Sequence, residues 1–440
     1  MRASFLQSGI QRMMFAFERY REQELANHAA AGAYAFLLSV TPALLLALGF
    51  ASTVFGASPR VVAEINRLVG AVLGPGNSSA AAGDFFGHRF GLLATVIGIV
   101  SLLWAARLFA VTVQRGIRVI WSASGTAVMV RENAKSFLIE AVILLAMVAL
   151  IAVSEGVHLS FRAVREAAGA GTARAFVALD RAAPLAALFV FTAVSYRLLP
   201  VRRPSSRTAW GAAALCFVIF LVVTEAFRLF LSVAHYELLY GVLGNLILLL
   251  VNVFAFFTLY FYFAELVYVA GEFDALLFGR FSRLTRITRA GGEVQRLERA
   301  LFLEPARLLR LYGRTLHAGE VLFSSGDTGT STYFVYYGRI GIRIGSSAAS
   351  EAIASMGPGE VFGEMAHILG EERTASAMAE EESAVLELPP AVFEQYLASH
   401  PDAARQLIDA LSRRLRATDV RIRGETPAGP EGDGAGRPRG

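Results

Sequence analysis

The distribution of apolar residues divides the chain near residue 270. Before that point they gather in six blocks, 29–55, 91–113, 136–154, 182–199, 208–233 and 240–270, each near the roughly twenty residues that a helix needs to cross a bilayer. The last block is long enough to tilt or to run past the hydrocarbon. Ahead of the first, residues 1–28 predict an amphipathic helix with Phe5, Met13, Phe17 and Tyr20 among its apolar residues. Beyond residue 270 the period changes. Basic residues recur every three at Arg280, Arg283, Arg286 and Arg289, with Phe281, Leu284 and Ile287 alongside, which predicts a helix lying on an anionic membrane surface. Gly291-Gly292 then predicts a hinge, followed by a second helix. From Leu316 to about Leu388 short apolar runs are broken by Gly turns, and the alternation of Ile340, Ile342 and Ile344 predicts strands with one buried face. Pro390 suits the first turn of a helical stretch reaching about Ile422. The remaining residues, rich in Gly and Pro, predict a disordered tail.

Composition agrees with two environments. Of 440 residues 55% are hydrophobic and 18% charged, with a mean hydropathy of +0.50, well above an ordinary soluble chain. The net charge of +5 and a pI near 9.5 would admit nucleic-acid binding. The Arg residues flank the apolar blocks, however, where the positive-inside bias accounts for them, and no nucleic-acid partner is expected. With the N-terminus in the cytosol, fifteen Arg and Lys residues fall on the inner side, among them Arg12, Arg19, Arg115, Arg118 and Arg202, against seven on the outer side. Both termini are therefore expected in the cytosol. The N-terminus lacks the pattern of a cleaved signal. Cys216, the single cysteine, lies in an apolar block and is expected to pack. The seven His residues are scattered without paired metal-ligand spacing, so neither a metal nor enzymatic activity is expected.

Polar residues inside the apolar blocks are the candidates for a path through the membrane: Arg107, Glu140, Glu225, Arg228, Asn245, Asn252 and Glu265. Pro42, after Thr41, is set to kink the first block. A charge at the bilayer centre costs about 2.5–3.5 kcal/mol on insertion scales, so such residues face a partner or a wet cavity. Two readings stay open here. One is a polar path for a solute or ion; the other is pairing between helices, with Glu225 and Arg228 joined to other charges.

In the second half the chemistry concentrates in GEVFGEMAHILGEERTASA, residues 359–377. Gly359 and Gly363 bracket a tight turn. Gly363-Glu364-Met365-Ala366 predicts the start of a short helix, whose unpaired backbone N–H groups suit an anion. Glu364 can accept from a sugar hydroxyl, and Arg373 can reach the same anion with a charge-assisted pair. Together they suit a ribose carrying a cyclic phosphate.

This stretch resembles the phosphate-binding cassette of the cyclic nucleotide-binding domain family, F-G-E-[LIM]-A and then R-[TSA]-A, through Phe362-Gly363-Glu364-Met365-Ala366 and Arg373-Thr374-Ala375. The resemblance covers about 295–422. It implies a β-roll with flanking helices, Glu364 on the ribose 2′-hydroxyl and Arg373 on the phosphate of cAMP or cGMP, with that nucleotide as a regulatory ligand and no other cofactor. Thr374 offers a hydroxyl that leans towards guanine, although cAMP sensors carry one there too. The last helix of the family closes over the base, which makes Leu411 and Leu415 lid candidates; simple packing, or a seam between two copies in a homo-oligomer, is the equal alternative. Two positions depart from the pattern. His367 stands where an apolar residue is usual and Glu372 where Pro is common, and Glu371 and Glu372 stand close enough in sequence to compete for the Arg373 charge.

The first half resembles the YihY/BrkB family of bacterial inner-membrane proteins over roughly 10–275. The resemblance rests on Ala29-Ala30-Ala31-Gly32-Ala33-Tyr34-Ala35-Phe36 running into Leu37-Leu38-Ser39-Val40-Thr41-Pro42, on Leu103-Trp104-Ala105-Ala106 before Gln114-Arg115-Gly116-Ile117, and on Tyr240-Gly241-Val242-Leu243-Gly244 before Glu265-Leu266. It implies an inner-membrane location and a lipid bilayer as partner. The family's former label as a ribonuclease finds no support in these residues. The expected fold is a membrane all-α domain of about six helices followed by a cytosolic α+β cyclic nucleotide-binding β-roll, or jelly roll. The expected domains are an N-terminal segment 1–28, a membrane domain 29–275, a basic linker helix 276–300, the nucleotide domain 301–423 and a tail 424–440. The expected function is nucleotide-regulated transport or permeation. The alternative is a non-transporting anchor whose cytosolic domain binds nucleotide or a protein partner.

Overall fold

The computed structural model describes residues 2–38, 92–121, 185–186, 188–200, 203–233, 236–343, 352–405, 407–409 and 412. The chain divides into two compact units, Met1–Phe273 and Asp274–Gly440.

The described part of the first unit is helical. α1 (Arg2–Glu22) and α2 (25–38) are separated by a break at Gln23-Glu24, where Glu24 adopts φ 51°. α3 spans Leu92–Trp121, α4 Leu188–Leu198, α5 Ser206–Val233 and α6 Tyr236–Gly271. The C-terminal half of α6 is apolar on nearly every side, Glu265 being the exception, and buried on most of them, from Phe256 and Phe257 through Tyr260, Phe261 and Ala264 to Val269. Such a helix needs neighbours all round, and facing pairs identify them. Phe15 meets Phe273, Arg19 meets Glu265 and His28 meets Phe261, so α1 and α2 run antiparallel to α6. Phe109 meets Phe257 and Trp121 meets Tyr268, so α3 runs parallel to it. α5 is antiparallel, through Phe220 on Phe256 and Thr224 on Asn252. α4 is joined to α6 by two buried hydrogen bonds: Tyr196 Oη donates to the Tyr260 carbonyl at 2.7 Å and Tyr260 Oη to Ser195 Oγ at 2.8 Å. α3 approaches so closely at Gly116 that a Cβ there would fall 2.3 Å from the Phe261 ring.

Among the described residues two helical stretches, Ser206–Leu229 and Ile247–Gly271, are long and apolar enough to cross a membrane, and α4 is a shorter apolar helix. The sequence predicts six spans. Of these the third lies outside the described residues and the first is described only to Leu38.

The second unit opens with α7 (Phe273–Arg289), α8 (Arg296–Phe302) and α9 (Ala306–Tyr312). Eight strands follow: β1 (Gly313–Leu316), β2 (Val321–Phe323), β3 (Thr332–Tyr337), β4 (Ile340–Arg343), β5 (Ala352–Met356), β6 (Val361–Phe362), β7 (Ser376–Ala379) and β8 (Ser383–Leu388). They form two four-stranded sheets, ordered β1-β8-β3-β6 and β2-β7-β4-β5. Every strand contributes to one core, which includes Leu316, Leu322, Val335, Ile340, Met356, Phe362, Ala377 and Val385. α10 (Glu364–Leu369) is set between β6 and β7, and α11 (Pro390–Ser399) follows β8 with Pro in its first turn.

α7 departs from the prediction of a helix lying on lipid. Leu276, Leu277, Phe278, Phe281 and Leu284 are buried. Phe278 and Phe281 pack edge-on against Phe334 of β3, with ring centroids 5.2 and 5.5 Å away. The physical reason lies in the sheet. Phe334 and its cross-strand partner Leu386 both bury their side chains fully, and α7 supplies cover for Phe334. Two of the basic residues of the helix meet protein as well, while Arg283 is exposed. Arg280 pairs with Glu298 of α8, and Arg289 Nη1 donates to the Pro358 carbonyl at 2.8 Å. Asp274 in the first turn accepts from Arg307 Nε at 2.6 Å, Arg307 Nη2 at 3.3 Å and Tyr312 Oη at 3.1 Å, which ties α7 to α9.

Gly291-Gly292, predicted as a hinge, closes α7 instead. Gly291 has φ 77°, its N–H donates to the Thr288 carbonyl at 3.1 Å, and the Gly292 N–H donates to the Ile287 carbonyl at 2.9 Å. This pair of bonds is a Schellman C-cap, which directs the chain out of the helix on one fixed path.

Candidate functional site

The site is built on an aromatic floor. β3 and β6 pair with Tyr333 opposite Phe362, which brings their rings together at 5.5 Å, and Phe323 of β2 stacks on Tyr333 at 5.5 Å. Arg373 lies on this floor, its guanidinium carbon 4.4 Å from the Phe323 centroid and 5.4 Å from that of Tyr333. A cation over aromatic faces is attracted by their quadrupoles. The residue is 3% exposed, and its backbone is fixed by the neighbouring turn: its N–H donates to the Asp327 carbonyl at 2.9 Å and its carbonyl accepts from the Gly326 N–H at 2.8 Å.

The guanidinium is held by main-chain oxygens. Nη1 donates to the Gly363 carbonyl at 2.5 Å and Nη2 to the Ser331 carbonyl at 2.7 Å, while buried Nε has no hydrogen-bond partner among the described residues. Burial lowers the Arg373 pKa from its ordinary value, opposed by Tyr333, Glu387 and Asp327 nearby. An arginine remains charged at neutral pH under such a shift. A charged donor fork resting on exchangeable carbonyls is suited to an incoming anion.

Two glycines make room for it. Gly363 sits at φ 73°, and a Cβ there would fall 2.9 Å from Arg373 Nη1 and 3.1 Å from the Tyr333 ring; a Cβ on Gly329 would fall 3.2 Å from Nη2. Gly363 is also the N-cap of α10, so Glu364 begins the helix immediately beside the carbonyl that Arg373 holds. Glu364 is 1% exposed. The structure therefore brings together the two residues singled out from sequence. Ala366 is buried beneath the helix, Ala375 is half-buried, and Met365 and Thr374 are exposed. Leu411 and Leu415, the lid candidates, lie outside the described residues.

The two departures from the family pattern have specific surroundings. Glu371 and Glu372 are exposed, and the Arg373 hydrogen bonds described above go to carbonyls rather than to either carboxylate. His367 packs edge-on against Phe393 of α11 at 5.9 Å, with its Nε2 3.5 Å from Glu394 Oε1. Sequence reasoning missed Phe323, Ser331, Tyr333 and Gly329 around the guanidinium. Gly326-Asp327 was the available signal, because the turn that holds Arg373 begins there.

Among the polar residues of the apolar helices, most of the described partners are side chains of the same unit. Glu265 is fully buried and paired with Arg19 of α1, whose Nη2 also donates to the Ile120 carbonyl at 3.3 Å and whose guanidinium lies 4.3 Å from the Tyr268 centroid. On the pairing reading, Glu225 and Arg228 would join other charges. They pair with each other, Arg228 Nε donating to Glu225 Oε2 at 3.0 Å, and both are exposed on α5. Asn252 Oδ1 accepts from Thr224 Oγ1 at 3.2 Å. Arg107 is exposed on α3. Glu140, and the side chain of Asn245 on α6, lie outside the described residues.

Comparison with known proteins adds two family matches. The model described as Virulence factor BrkB matches residues 16–275, and the cyclic nucleotide-binding domain model matches 313–400. Curated relatives include a cyclic nucleotide-gated potassium channel of Mesorhizobium japonicum, 33% identical over 138 residues, which are 31% of this chain and 37% of the channel. The cyclic AMP receptor protein of Thermus thermophilus is 37% identical over 108 residues, 24% of this chain and 49% of the receptor. The chain thus spans less than half the length of either relative. Similar solved structures include the Thermus thermophilus catabolite activator protein, with 32% identity, TM-score 0.24, and coverage of 27% of this chain and 57% of that one. Another is the cAMP-bound form of the EAL enzyme Bd1971, with 28% identity, TM-score 0.20, and coverage of 24% and 29%.

Proposed function

Since this chain belongs to the Virulence factor BrkB family and joins to it a cyclic nucleotide-binding domain, we propose that it is a bacterial inner-membrane protein whose permeation of a solute or ion is set by cAMP or cGMP. The observation that carries the reading is the Arg373 site. A buried guanidinium rests on two carbonyls over an aromatic floor, next to buried Glu364. Arg373 would take the cyclic phosphate in exchange for its carbonyls, and Glu364 the ribose hydroxyl. Two curated relatives, one a cyclic nucleotide-gated channel and one a cyclic AMP receptor protein, support a nucleotide ligand and make gated permeation a reasonable analogy. The reading assigns the chain no catalysis, six spans and both termini in the cytosol.

A route for coupling runs through α7. The turn at Gly357–Glu360 leads directly into β6 and Gly363. Arg289 holds the Pro358 carbonyl of that turn, and Gly359 lies beside Thr285 of α7. A shift of the cassette on binding nucleotide would therefore reach α7, which follows α6 in the chain with only Glu272 between them. Ligand moves this equilibrium only by its difference in affinity between two states.

The second reading, a non-transporting anchor, is favoured by one specific observation. Glu265 and Asn252 find side-chain partners on neighbouring helices, and Glu225 and Arg228 pair with each other, which is what packing without a path would show. Flux measurements on proteoliposomes separate the two. Under the first reading, K⁺ or another small solute moves down its gradient faster with nucleotide present, and Arg373→Ala loses the response. An absence of flux under every gradient, with nucleotide bound, would establish the anchor.

A further inference from the structure

The aromatic floor of the Arg373 site ends in a carboxylate. β3 lies between β6 and β8, so Tyr333 has Phe362 opposite it on one side and Glu387 on the other. Residues directly opposite in an antiparallel pair share one face of the sheet. Tyr333 and Phe362 belong to the core of the roll, so Glu387 stands on the face that lines it. Tyr333 Oη donates to Glu387 Oε1 at 3.3 Å. The surroundings are those of an apolar residue. Val385, two residues earlier on the same face, is part of the core, Leu386 and Leu388 are buried on the other face, and Glu387 itself is half-buried.

One ring thus links two opposite charges. Arg373 lies over its face, with the guanidinium carbon 5.4 Å from the centroid, and Glu387 takes its hydroxyl. The guanidinium donates to the Gly363 and Ser331 carbonyls, so Glu387 acts on it through the field rather than by contact. It is among the charges that oppose the effect of burial on Arg373. Burial raises the Tyr333 pKa and Glu387 adds to the rise, so the hydroxyl keeps its proton and its bond. Arg314 of β1, opposite Val385, is a further charge near the phenol; it is exposed, and water and salt screen it.

An anion that takes up Arg373 enters the same field. Like charges repel more strongly in a partly desolvated site than in water. An amide oxygen would satisfy the Tyr333 hydroxyl as well, so the hydrogen bond alone does not call for a carboxylate. We infer that Glu387 sets the affinity of the Arg373 site: its carboxylate is a built-in counter-charge to the guanidinium and weakens the hold on an incoming cyclic phosphate, which keeps the ligand exchangeable. The inference rests on the nucleotide reading and deepens it. Glu387 acts through Tyr333 and the field, and contact with the ligand is left to Arg373 and Glu364.

The test is calorimetric titration of cAMP and of cGMP into the full chain in detergent, for wild type, Glu387→Gln and Glu387→Asp, at about 0.01 M and about 1 M salt. Glu387→Gln is close to isosteric, keeps an acceptor for the Tyr333 hydroxyl and removes the charge. Its affinity should exceed that of wild type by about threefold to tenfold at low salt, and the ratio should fall towards one at high salt. Glu387→Asp keeps the charge on a shorter stem and should stay closer to wild type at both. A residue that serves packing alone gives no such salt dependence, and melting points of the three proteins report on folding. Unchanged or weaker binding by folded Glu387→Gln would overturn the inference. So would an equal gain in both variants, which would assign the effect to altered geometry instead of charge. Wild type that binds neither nucleotide at either salt would overturn the nucleotide reading itself, and the inference falls with it unless Glu387→Gln binds where wild type does not.

Discussion

Replacing Gly363 by alanine tests the geometry of the proposed nucleotide site most sharply. The perturbation has two parts. The first is conformational: Gly363 occupies φ 73°, and an L-residue in that region costs roughly 1–2 kcal/mol. The second is steric. The new Cβ would meet Arg373 Nη1 at 2.9 Å and Tyr333 Cδ2 at 3.1 Å. The guanidinium tip can swing away, at the expense of its 2.5 Å bond to the Gly363 carbonyl. The Tyr333 ring has less freedom, because it packs against both Phe323 and Phe362, which also touch each other. Overpacking of this kind costs roughly 1–3 kcal/mol. Gly370→Ala is the internal control. It has a similar φ of 68° and open space around its Cβ, so only the conformational part applies. Urea unfolding of residues 274–440 should therefore show a loss of about 1–2 kcal/mol for Gly370→Ala and about 2–5 kcal/mol for Gly363→Ala. Only the latter should weaken nucleotide binding. Equal losses in the two variants, with unchanged affinity in both, would refute the packing of Arg373 against Gly363.

Phe281→Ala removes a buried ring from between α7 and β3 and should cost about 3–5 kcal/mol by denaturant unfolding of the same fragment; a fragment starting at Gly292 should be less stable than one starting at Asp274 and should bind the hydrophobic dye ANS. In detergent, Arg19→Ala strands buried Glu265 and should destabilise the first unit by about 3–5 kcal/mol, whereas the double variant Arg19→Ala with Glu265→Ala should recover part of the loss; equal melting points for wild type and single variant would count against the pair. Burial, with Asp274 adding to it, pushes the Tyr312 phenol up to about 12, so its protonated form is favoured in the folded state. The corresponding stability is complete below the ordinary tyrosine value near 10 and is lost as pH rises towards about 12; absorbance titration should show a late-ionising phenol that Tyr312→Phe removes.

The parts of this protein that could be read from sequence are those whose partners lie close in the chain. Phe362-Gly363-Glu364 and Arg373 are within one turn–helix–turn, so residue type and spacing carried the site. The strand expected around Ile340 and Ile342 is present as β4, although its burial does not alternate: Ile340 and Gly341 are buried and Ile342 is half-buried. What was not legible depended on distant pairing. Arg19 and Glu265 are 246 positions apart, and nothing local marks one as the other's partner. The α7 stripe misled for a different reason. Arg280, Arg283, Arg286 and Arg289 suit a lipid surface, while the same helix hides Phe278 and Phe281 for a sheet face whose need for cover is set by Phe334, more than fifty residues later. Gly291-Gly292 has the composition of a hinge, and only the hydrogen bonds back to Ile287 and Thr288 identify it as a cap.

The central claim is that Arg373 makes this BrkB-family chain a nucleotide-binding membrane protein. Calorimetric titration of cAMP and of cGMP into the purified full-length protein, beside Arg373→Ala, tests it most directly. Removing a buried charge partner of a bound phosphate should cost about 2–5 kcal/mol, a loss of roughly thirtyfold or more in affinity. Saturable binding of at least one nucleotide that disappears in Arg373→Ala is the predicted result. A folded wild-type protein that binds neither, or a variant that binds as well as wild type, would contradict the account.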